Sequence, residues 1–266
     1  MRGAYYRGHS RDHNVRTFDP GIAISMKVRY RAPNSMSAIS PLSILLTGAS
    51  GMVGRAVLLQ CLDSPHVKQV LVINRHPIDL RHANLEEIIH QDFADITPIA
   101  DRLRPYDACF FCAGVSSVGK DEDTFTRLTY DLVTGFARGL HAVNPNLVFT
   151  YVSGMGTDPD GRQMWARVKG RTEQALLGMG FRDAFMFRLG MLLPERRLPM
   201  KTRWIGAMYG LLRPLFPLLR RFDWSVSDRQ LGQAMINCVV DPQAEKILES
   251  GDIGRLGNRD PRFPTT

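Results

Sequence analysis

Cysteine is scarce in this sequence, with four residues among 266. Only Cys109 and Cys112 are close together, and they lie in an apolar run typical of a buried strand, where residues three apart point to opposite faces. The other two are Cys61 and Cys238. A zinc site would need two further ligands at suitable spacing, and the sequence supplies none. The pattern predicts buried thiols in a reducing cytoplasm, without a metal site.

Long hydrophobic runs are also missing. No segment reaches the roughly 18 uninterrupted apolar residues that a membrane-spanning helix requires. The first 35 residues contain no apolar run of signal-peptide length either. We therefore predict a cytoplasmic protein.

Positive charge is in excess, but it is concentrated near the amino terminus. The formal net charge is +8, and residues 1–35 contribute +5 of it, with seven basic and two acidic residues. The rest of the chain is only mildly basic, which argues against a nucleic-acid partner. Residues 1–37 are predicted to be a disordered basic tail or a mis-assigned start, with Met36 as the true first residue. A transit peptide is disfavoured by Asp12, Asp19 and the lack of an amphipathic period.

Short apolar runs alternate with helical patterns over residues 38–192, as expected for a parallel sheet covered by helices on both faces. The predicted strands are 44–48, 69–75, 87–92, 108–114, 147–153 and 184–190. The predicted helices are 52–62, 95–103, 121–142 and 162–179. This order predicts an α/β fold with a doubly wound parallel sheet, a Rossmann-like NAD(P)-binding domain. Residues 193–266, with a helix at 228–240, are predicted to form a small C-terminal substrate or lid region.

A glycine turn lies between the first strand and the first helix. Gly48, Gly51 and Gly54 are spaced as G-x-x-G-x-x-G, which allows a tight turn, close approach of a pyrophosphate to the main chain, and close packing of helix on strand. The positive end of the helix then faces the phosphates. The cofactor-binding residues predicted here are Thr47, Gly48, Ser50, Gly51, Met52 and Gly54.

The end of the second strand indicates which dinucleotide is bound. An acidic residue there would bind the ribose 2′-hydroxyl of NAD, whereas arginine accommodates the 2′-phosphate of NADP. Asn74 and Arg75 occupy this point, so we predict NADP(H) as the preferred cofactor, with NAD(H) and a solvated Arg75 as the alternatives. Asp92 and Phe93 follow the third strand, where Asp92 would accept from the adenine amino group or else cap the strand end.

These motifs resemble the short-chain dehydrogenase/reductase superfamily in its extended or atypical branch, the NAD-dependent epimerase/dehydratase group. The resemblance covers roughly residues 42–192. It rests on T-G-A-S-G-M-V-G at the glycine turn, F-F-C-A-G at 110–114, Y-V-S-G at 151–154, V-K-G at 168–170 and F-R-L-G at 187–190. It implies further cofactor contacts at Ala113 and Gly114, and a dimer formed through the helices after strands four and five.

The resemblance also implies the catalytic residues. In that superfamily a serine after strand five orients the substrate oxygen, a tyrosine exchanges a proton with it, and a lysine four residues later lowers the tyrosine pKa and binds the nicotinamide ribose. Ser153 and Lys169 match the serine and the lysine, but Trp165 stands at the tyrosine position. An indole N–H can donate a hydrogen bond but cannot deliver a proton. The alternatives are a solvated Lys169 and a plain loop serine at 153.

Another group would have to supply the proton. Tyr130 is a candidate substitute donor, as are a bound water and the substrate itself, whereas Tyr151 is expected to pack in the core. The sixth strand also departs from the family, which often has Arg-Pro-Gly where this chain has Arg188-Leu189-Gly190.

Residues 195–222 mix basic and apolar side chains and are interpreted as a lid that lines an apolar substrate pocket. Contact with a membrane surface is an alternative that Pro214 and Pro217 disfavour. Two functions stay open. One is an NADP(H)-dependent oxidoreductase or epimerase-like enzyme that acts on a small carbonyl, alcohol or apolar substrate. The other is a non-catalytic NADP(H)-binding redox sensor or scaffold.

Overall fold

A computed structural model describes most of the chain after the amino-terminal segment. It describes residues 40–196, 198–199, 211, 215–219 and 222–260. The predicted tail, 1–37, lies outside these residues, and so does most of the predicted lid. No helix in the part of the chain that the structure describes is long and apolar enough to cross a membrane.

Seven parallel strands form the central sheet, in the order β3-β2-β1-β4-β5-β6-β9. This confirms the predicted doubly wound α/β fold. The strands are β1 (Leu42–Thr47), β2 (Val67–Asn74), β3 (Leu85–Ile89), β4 (Ala108–Phe111), β5 (Val148–Val152), β6 (Asp183–Arg188) and β9 (Ile247–Glu249). Two further strands, β7 (Met191–Leu193) and β8 (Ser225–Ser227), pair in parallel as a separate small sheet.

Helices cover both faces of the sheet and connect several of its strands, although none lies between β2 and β3 or between β6 and β7. They are α1 (Met52–Asp63), α2 (Ala100–Leu103) after a 3-10 turn at Thr97–Ile99, α3 (Glu122–Thr126), α4 (Leu132–Val143), α5 (Met164–Leu177), α6 (Phe216–Leu219), α7 (Asp228–Val240) and α8 (Ser250–Gly257). A π-helical turn, Arg127–Asp131, joins α3 to α4.

Each central strand contributes side chains to two separate cores. Ile44 and Leu46 of β1 pack in the core formed with α1 and α7, whereas Leu45 packs in the core on the opposite face with α4. Successive side chains of a strand point to opposite faces. Burial on both faces therefore explains why these strands read as continuous apolar runs rather than as alternating ones.

Several boundaries differ from the predicted ones. The strand predicted at 87–92 is β3, Leu85–Ile89, because Asp92 caps a turn beyond the strand. The helix predicted at 121–142 is divided by the π-helical turn into three pieces. The strands β7, β8 and β9 were not predicted, since three residues are too few to display a hydrophobic period.

The predicted helix at 228–240 is α7, and Gly232 lets it approach α1 closely. A β-carbon placed on Gly232 would lie 2.4 Å from Gln60 Cβ, far inside a normal contact. Ser227 and Gln230 form a reciprocal capping box at the start of α7. The buried Asp228 carboxylate binds Arg196 Nε at 2.7 Å, which ties the segment after β7 to this helix. The close packing of α1 against α7 thus requires a residue without a side chain at position 232.

Replacement of Gly232 by alanine should destabilise the fold. The new methyl group forces α1 and α7 apart, at a cost of about 1–3 kcal/mol, which outweighs the gain in helix propensity of about 1 kcal/mol. Thermal unfolding followed by circular dichroism should show a loss of about 2–4 °C for each net kcal/mol. Gly254→Ala in α8 is the matched control, because its β-carbon would approach no closer than 3.9 Å to Gln230 Nε2. Equal melting temperatures for the two variants would contradict the packing argument.

Candidate active site

The glycine turn is held against the neighbouring strand β4. Gly48 has a positive φ of 77°, and a β-carbon on it would lie 2.6 Å from the main-chain nitrogen of Ala113. A β-carbon on Gly54 would lie 2.2 Å from the Gly48 carbonyl oxygen. The Gly51 N–H donates to the same oxygen at 2.9 Å. Only glycine fits at 48 and 54, as the prediction of a tight phosphate-binding turn requires.

Helix α1 begins directly after this turn, with Gly51 as its N-cap. No described side chain caps the helix, and its first turn contains no acidic residue. The first N–H groups of a helix have no intrahelical acceptor and carry partial positive charge. This end of α1 is therefore suited to an anionic group such as a pyrophosphate.

A cavity of about 170 Å³ lies at the carboxyl ends of β1, β2 and β4. Its walls combine the glycine turn with the ends of the neighbouring strands, at the position where doubly wound sheets bind nucleotides. The lining residues are Gly48, Ser50, Gly51, Asn74, Arg75, His76, Phe93, Cys112, Ala113 and Gly114. Seven of these were predicted to contact the cofactor, while Asn74, His76 and Cys112 were not included among the predicted contacts.

The side chains at the end of β2 have different surroundings. Asn74 is buried, and its Nδ2 donates to Glu87 Oε1 at 3.0 Å. Glu87 also accepts from the Ile78 main-chain N–H at 3.2 Å, so this carboxylate is already engaged. Arg75 and His76 are exposed and line the cavity. The cavity wall therefore offers a guanidinium and an imidazole, and its described lining contains no carboxylate.

Five predicted cofactor residues lie outside this lining, and one of them, Lys169, belongs to the second cluster described below. The Thr47 hydroxyl oxygen accepts from the Ala113 main-chain N–H at 3.2 Å, so this buried side chain connects β1 to β4. The Asp92 carboxylate accepts from the Ala94 main-chain N–H at 2.9 Å, the capping arrangement that was the alternative to adenine binding. Met52 packs against the hydrophobic core, and Gly54 serves the packing of α1.

The second cluster of predicted residues surrounds a buried carboxylate, Glu173 of α5. Glu173 is 2% exposed, and the Ser153 hydroxyl donates to its Oε1 at 2.6 Å. A hydroxyl has one proton to donate and two lone pairs to accept with. With its proton on Glu173, Ser153 can accept a hydrogen bond from a substrate hydroxyl but cannot donate one to a carbonyl.

Arg188 at the end of β6 balances the charge of Glu173. Its Nη2 and Nε lie 2.7 and 3.2 Å from Glu173 Oε2, and its Nη1 binds the more exposed Glu249 at 3.1 Å. Both carboxylates raise the pKa of Arg188, most of all through the hydrogen bond with Glu173. The R-L-G sequence at the end of β6 thus places Arg188 in contact with both α5 and β9.

Lys169 lies one helical turn before Glu173 on the same face of α5. Burial lowers the pKa of the Lys169 ammonium, and the nearby Glu173 carboxylate opposes part of that shift. Its Nζ would lie 3.7 Å from a β-carbon placed on Gly154. The ammonium therefore points at the loop that follows β5, next to Ser153.

Trp165 directs its only hydrogen-bond donor away from this loop. The indole Nε1–H donates to the side-chain oxygen of the exposed Gln163. The other edge of the ring faces the loop, with Cη2 3.5 Å from a β-carbon placed on Gly156 and Cζ3 4.0 Å from one placed on Gly154. Trp165 thus presents an apolar edge where a tyrosine hydroxyl was expected from the family pattern.

The two tyrosines considered as proton donors differ in burial. Tyr151 is 2% exposed, its ring lies 6.3 Å from that of Phe111, and burial raises its pKa. Tyr130 is half-buried in the π-helical turn, which packs against α5. Neither tyrosine has a hydrogen bond to Ser153 or Lys169 in the described residues.

Glu173 and Glu249 were missed by the sequence interpretation. A signal for Glu173 was present, because a residue four positions after Lys169 on a helix shares its face. Glu249 carried no such signal, since it belongs to the unpredicted strand β9 and meets Arg188 only through the sheet register.

A larger cavity of about 530 Å³ lies between α7, α8 and the segment before β8. Its described lining is mostly polar, with Phe222 as the one apolar side chain. Many of these groups bind one another, including Gln60 with Gln233 and Gln230 with Asn258, each at 3.1 Å. An apolar pocket was predicted for the C-terminal region, and this cavity does not have that character. The rest of the predicted lid falls outside the described residues.

The comparison with protein families agrees with this geometry. Residues 44–163 match the model of the NAD dependent epimerase/dehydratase family. The matched region begins within β1, contains the glycine turn, the strands β2 to β5 and Ser153, and ends just before α5. Trp165 and Lys169 lie beyond it, so the replacement of tyrosine by tryptophan stays a prediction.

Curated relatives are similar over most of their length. The chain is 25% identical to Protein HTATIP2 of Rattus norvegicus over 81% of this chain and 89% of that protein. It is 26% identical to Protein fmp52-1, mitochondrial, of Aspergillus terreus over 81% of this chain and 98% of that protein. A third relative, Protein fmp52, mitochondrial, of Emericella nidulans, is 23% identical over 73% of this chain and 86% of that protein.

Solved structures share the fold at low identity. A UDP-N-acetylglucosamine 4-epimerase of Methanobrevibacter ruminantium has a TM-score of 0.60 at 14% identity, covering 79% of this chain and 76% of its own. A UDP-glucuronic acid 4-epimerase of Bacillus cereus, solved with UDP-glucuronic acid and NAD, has a TM-score of 0.57 at 13% identity, covering 79% and 77%. The chain thus has an epimerase/dehydratase-like fold of the NAD(P)-binding type.

Replacement of Glu173 by glutamine should strongly destabilise the protein. It leaves the Arg188 guanidinium without its buried counter-charge, and removal of one partner from a buried ion pair costs about 3–5 kcal/mol. Urea unfolding should measure this loss. The control is Glu122→Gln, which breaks a pair with Arg167 at 2.6 Å. Because both of those side chains are partly exposed, the control should change stability by less than about 1 kcal/mol. Similar losses of unfolding free energy in both variants would show that burial of Glu173 does not govern its contribution to stability.

Proposed function

We propose that this protein is an NADP(H)-dependent oxidoreductase that acts on a small carbonyl compound or alcohol. The observation that carries the proposal is the cavity at the carboxyl ends of β1, β2 and β4, with Arg75 in its wall. The pair formed by Ser153 and Lys169 at the end of the adjacent strand β5 supports a reaction rather than binding alone.

The residues of the cavity fit a dinucleotide. The turn at Gly48 and the uncapped start of α1 would hold the pyrophosphate through main-chain N–H groups. Phe93 provides an apolar surface for the adenine, and Ala113 and Gly114 continue the wall towards β5. A bound nicotinamide would supply hydride to, or take it from, the carbon of the substrate. Lys169 would lie near the nicotinamide ribose, as the family resemblance implies.

The preference for NADP(H) rests on charge. Arg75 and His76 can bind a 2′-phosphate, and an arginine does so with paired, charge-assisted hydrogen bonds. The Glu87 carboxylate, which contacts the cavity-lining Asn74, is committed to that side chain and to the Ile78 N–H. The Bacillus cereus epimerase has a similar fold and was solved with NAD. Because the fold itself therefore does not require NADP, the preference proposed here depends on Arg75 and His76 of this chain.

A non-catalytic NADP(H)-binding protein is the second candidate. It is favoured by Trp165, whose N–H is engaged by Gln163 and whose ring cannot release a proton. Such a protein would report redox state or bind a partner in response to the cofactor. The two candidates share cofactor binding and differ in turnover.

Titration calorimetry with NADPH, NADP⁺, NADH and NAD⁺ tests cofactor binding, which both candidate functions require. We expect micromolar affinity for the phosphorylated pair. Arg75→Ala should weaken NADPH binding about tenfold, as expected for the loss of a charged hydrogen bond, and should leave NADH binding unchanged. Arg81→Ala is the control, since Arg81 is exposed in the same loop but is not among the residues lining the cavity.

Two results would count against the proposal. If none of the four nucleotides binds, the cavity does not hold a dinucleotide. If NADH binds as tightly as NADPH and Arg75→Ala changes neither, cofactor binding stands but the assignment of Arg75 fails. Reduction of an aldehyde panel, followed by NADPH absorbance, then separates the enzyme from the non-catalytic candidate.

A further inference from the structure

Three proton-bearing groups stand close to Gly154, and two of them are already engaged. The Ser153 hydroxyl donates to Glu173 at 2.6 Å, and the Trp165 indole donates to Gln163. The third is the Lys169 ammonium, for which the described residues supply no hydrogen-bond acceptor. Lys169 therefore has protons to give to a ligand, and its two neighbours do not.

Three different groups surround Gly154 on the side where a side chain would project. A β-carbon placed on Gly154 would lie 3.7 Å from Lys169 Nζ, 3.9 Å from the Leu189 carbonyl oxygen and 4.0 Å from Trp165 Cζ3. One cation, one carbonyl acceptor and one aromatic edge thus face the side of Gly154 that lacks a side chain. A substrate oxygen held in van der Waals contact with Gly154 on this side could accept from Lys169 and, once it is a hydroxyl, donate to Leu189.

We propose that Lys169 is the proton donor of the reaction, in place of the family's tyrosine. The inference rests on the proposed oxidoreductase function, in which the nicotinamide dinucleotide is the reductant. As hydride reaches the carbonyl carbon, the π electron pair moves onto the oxygen. An N–H bond of Lys169 breaks, an O–H bond forms on the substrate, and Lys169 is left as a neutral amine that water protonates again.

The surroundings of Lys169 suit this role. Burial disfavours its charged form and lowers its pKa, so the neutral amine is accessible after proton transfer. Glu173 is the carboxylate that acts on Lys169, and its charge is offset by Arg188 at 2.7 Å. Ser153 directly follows β5, and its oxygen still has lone pairs to accept from the alcohol product. A positioned general acid contributes about 10²–10⁴ in rate.

The Lys169→Arg variant tests whether Lys169 acts by donating a proton or only through its positive charge. Arginine keeps the cation but cannot release a proton at accessible pH. We expect the variant to bind NADPH within about fivefold of wild type by calorimetry and to lose about 100-fold or more in kcat for aldehyde reduction. Lys68→Arg, on the exposed start of β2, is the matched control. Full turnover by Lys169→Arg would overturn the proposal.

Gly154→Ala tests the position of the substrate oxygen. The added methyl group meets only ordinary contacts of 3.7–4.0 Å, so the protein should fold normally, yet the methyl pushes a substrate oxygen away from Gly154 and Lys169. We expect normal NADPH binding with a loss of turnover of about 100-fold. Gly178→Ala, at the end of α5 with its nearest contact at 3.5 Å, is the control. Normal turnover by Gly154→Ala would place the substrate oxygen elsewhere.

Chemical modification of Lys169, compared with the pH dependence of turnover, completes the test. Modification of amines by acetic anhydride as a function of pH, read by mass spectrometry, follows each lysine separately. In the NADPH complex of the full chain, Lys169 should become reactive at a pH below the ordinary range of lysine amines, and aldehyde reduction should fall as pH rises through the same range. Reactivity of Lys169 only within the ordinary lysine range would overturn the proposal.

Failure of the proposed function and failure of the proposed role of Lys169 give different experimental results. If wild-type protein binds NADPH but reduces no aldehyde, the enzyme function fails and the proton donor with it. If wild type reduces aldehydes and Lys169→Arg does so equally well, the function stands and only the role of Lys169 is overturned.

Discussion

The buried carboxylate of Glu173 is the constraint on which the substrate side of the site depends. A charge 2% exposed is tolerated only with a close counter-charge and satisfied hydrogen bonds, and Arg188 and Ser153 provide both. These contacts fix α5 against the ends of β5 and β6. They also decide which way the Ser153 proton points, and they set the field around Lys169. A change at Glu173 therefore alters stability, orientation and electrostatics together.

The cofactor side depends on main-chain geometry instead. Gly48 approaches Ala113 so closely that no side chain fits between β1 and β4, which brings two strand ends and the start of α1 to one point. Positive charge in the described lining comes from the helix end and from Arg75. One half of the site is thus built by backbone and the other by a buried ion pair. This explains why the glycine turn could be located from its spacing alone, whereas the Glu173 carboxylate was missed.

Much of the fold could be predicted because both faces of the sheet are covered. Strands such as β1 and β4 read as uninterrupted apolar runs, and the glycine spacing located the turn to the residue. The short strand β9 and the Glu173 cluster could not be predicted with the same ease. β9 has three residues and pairs with a strand about 60 positions earlier. Glu173 resembles any polar helix residue until Arg188, from another strand, meets it.

The position of β1 at the centre of the sheet has a consequence for local stability. Its main chain is paired on both sides, with β2 and β4, and both of its faces are buried. Amide hydrogens in such a strand exchange with solvent only when the whole domain unfolds. The loops after β4 and β5 instead carry exposed side chains such as Val118 and Met155. The strand ends that form the floor of the cavity therefore share the lifetime of the entire fold, whereas the amide hydrogens of these loops should exchange with solvent sooner.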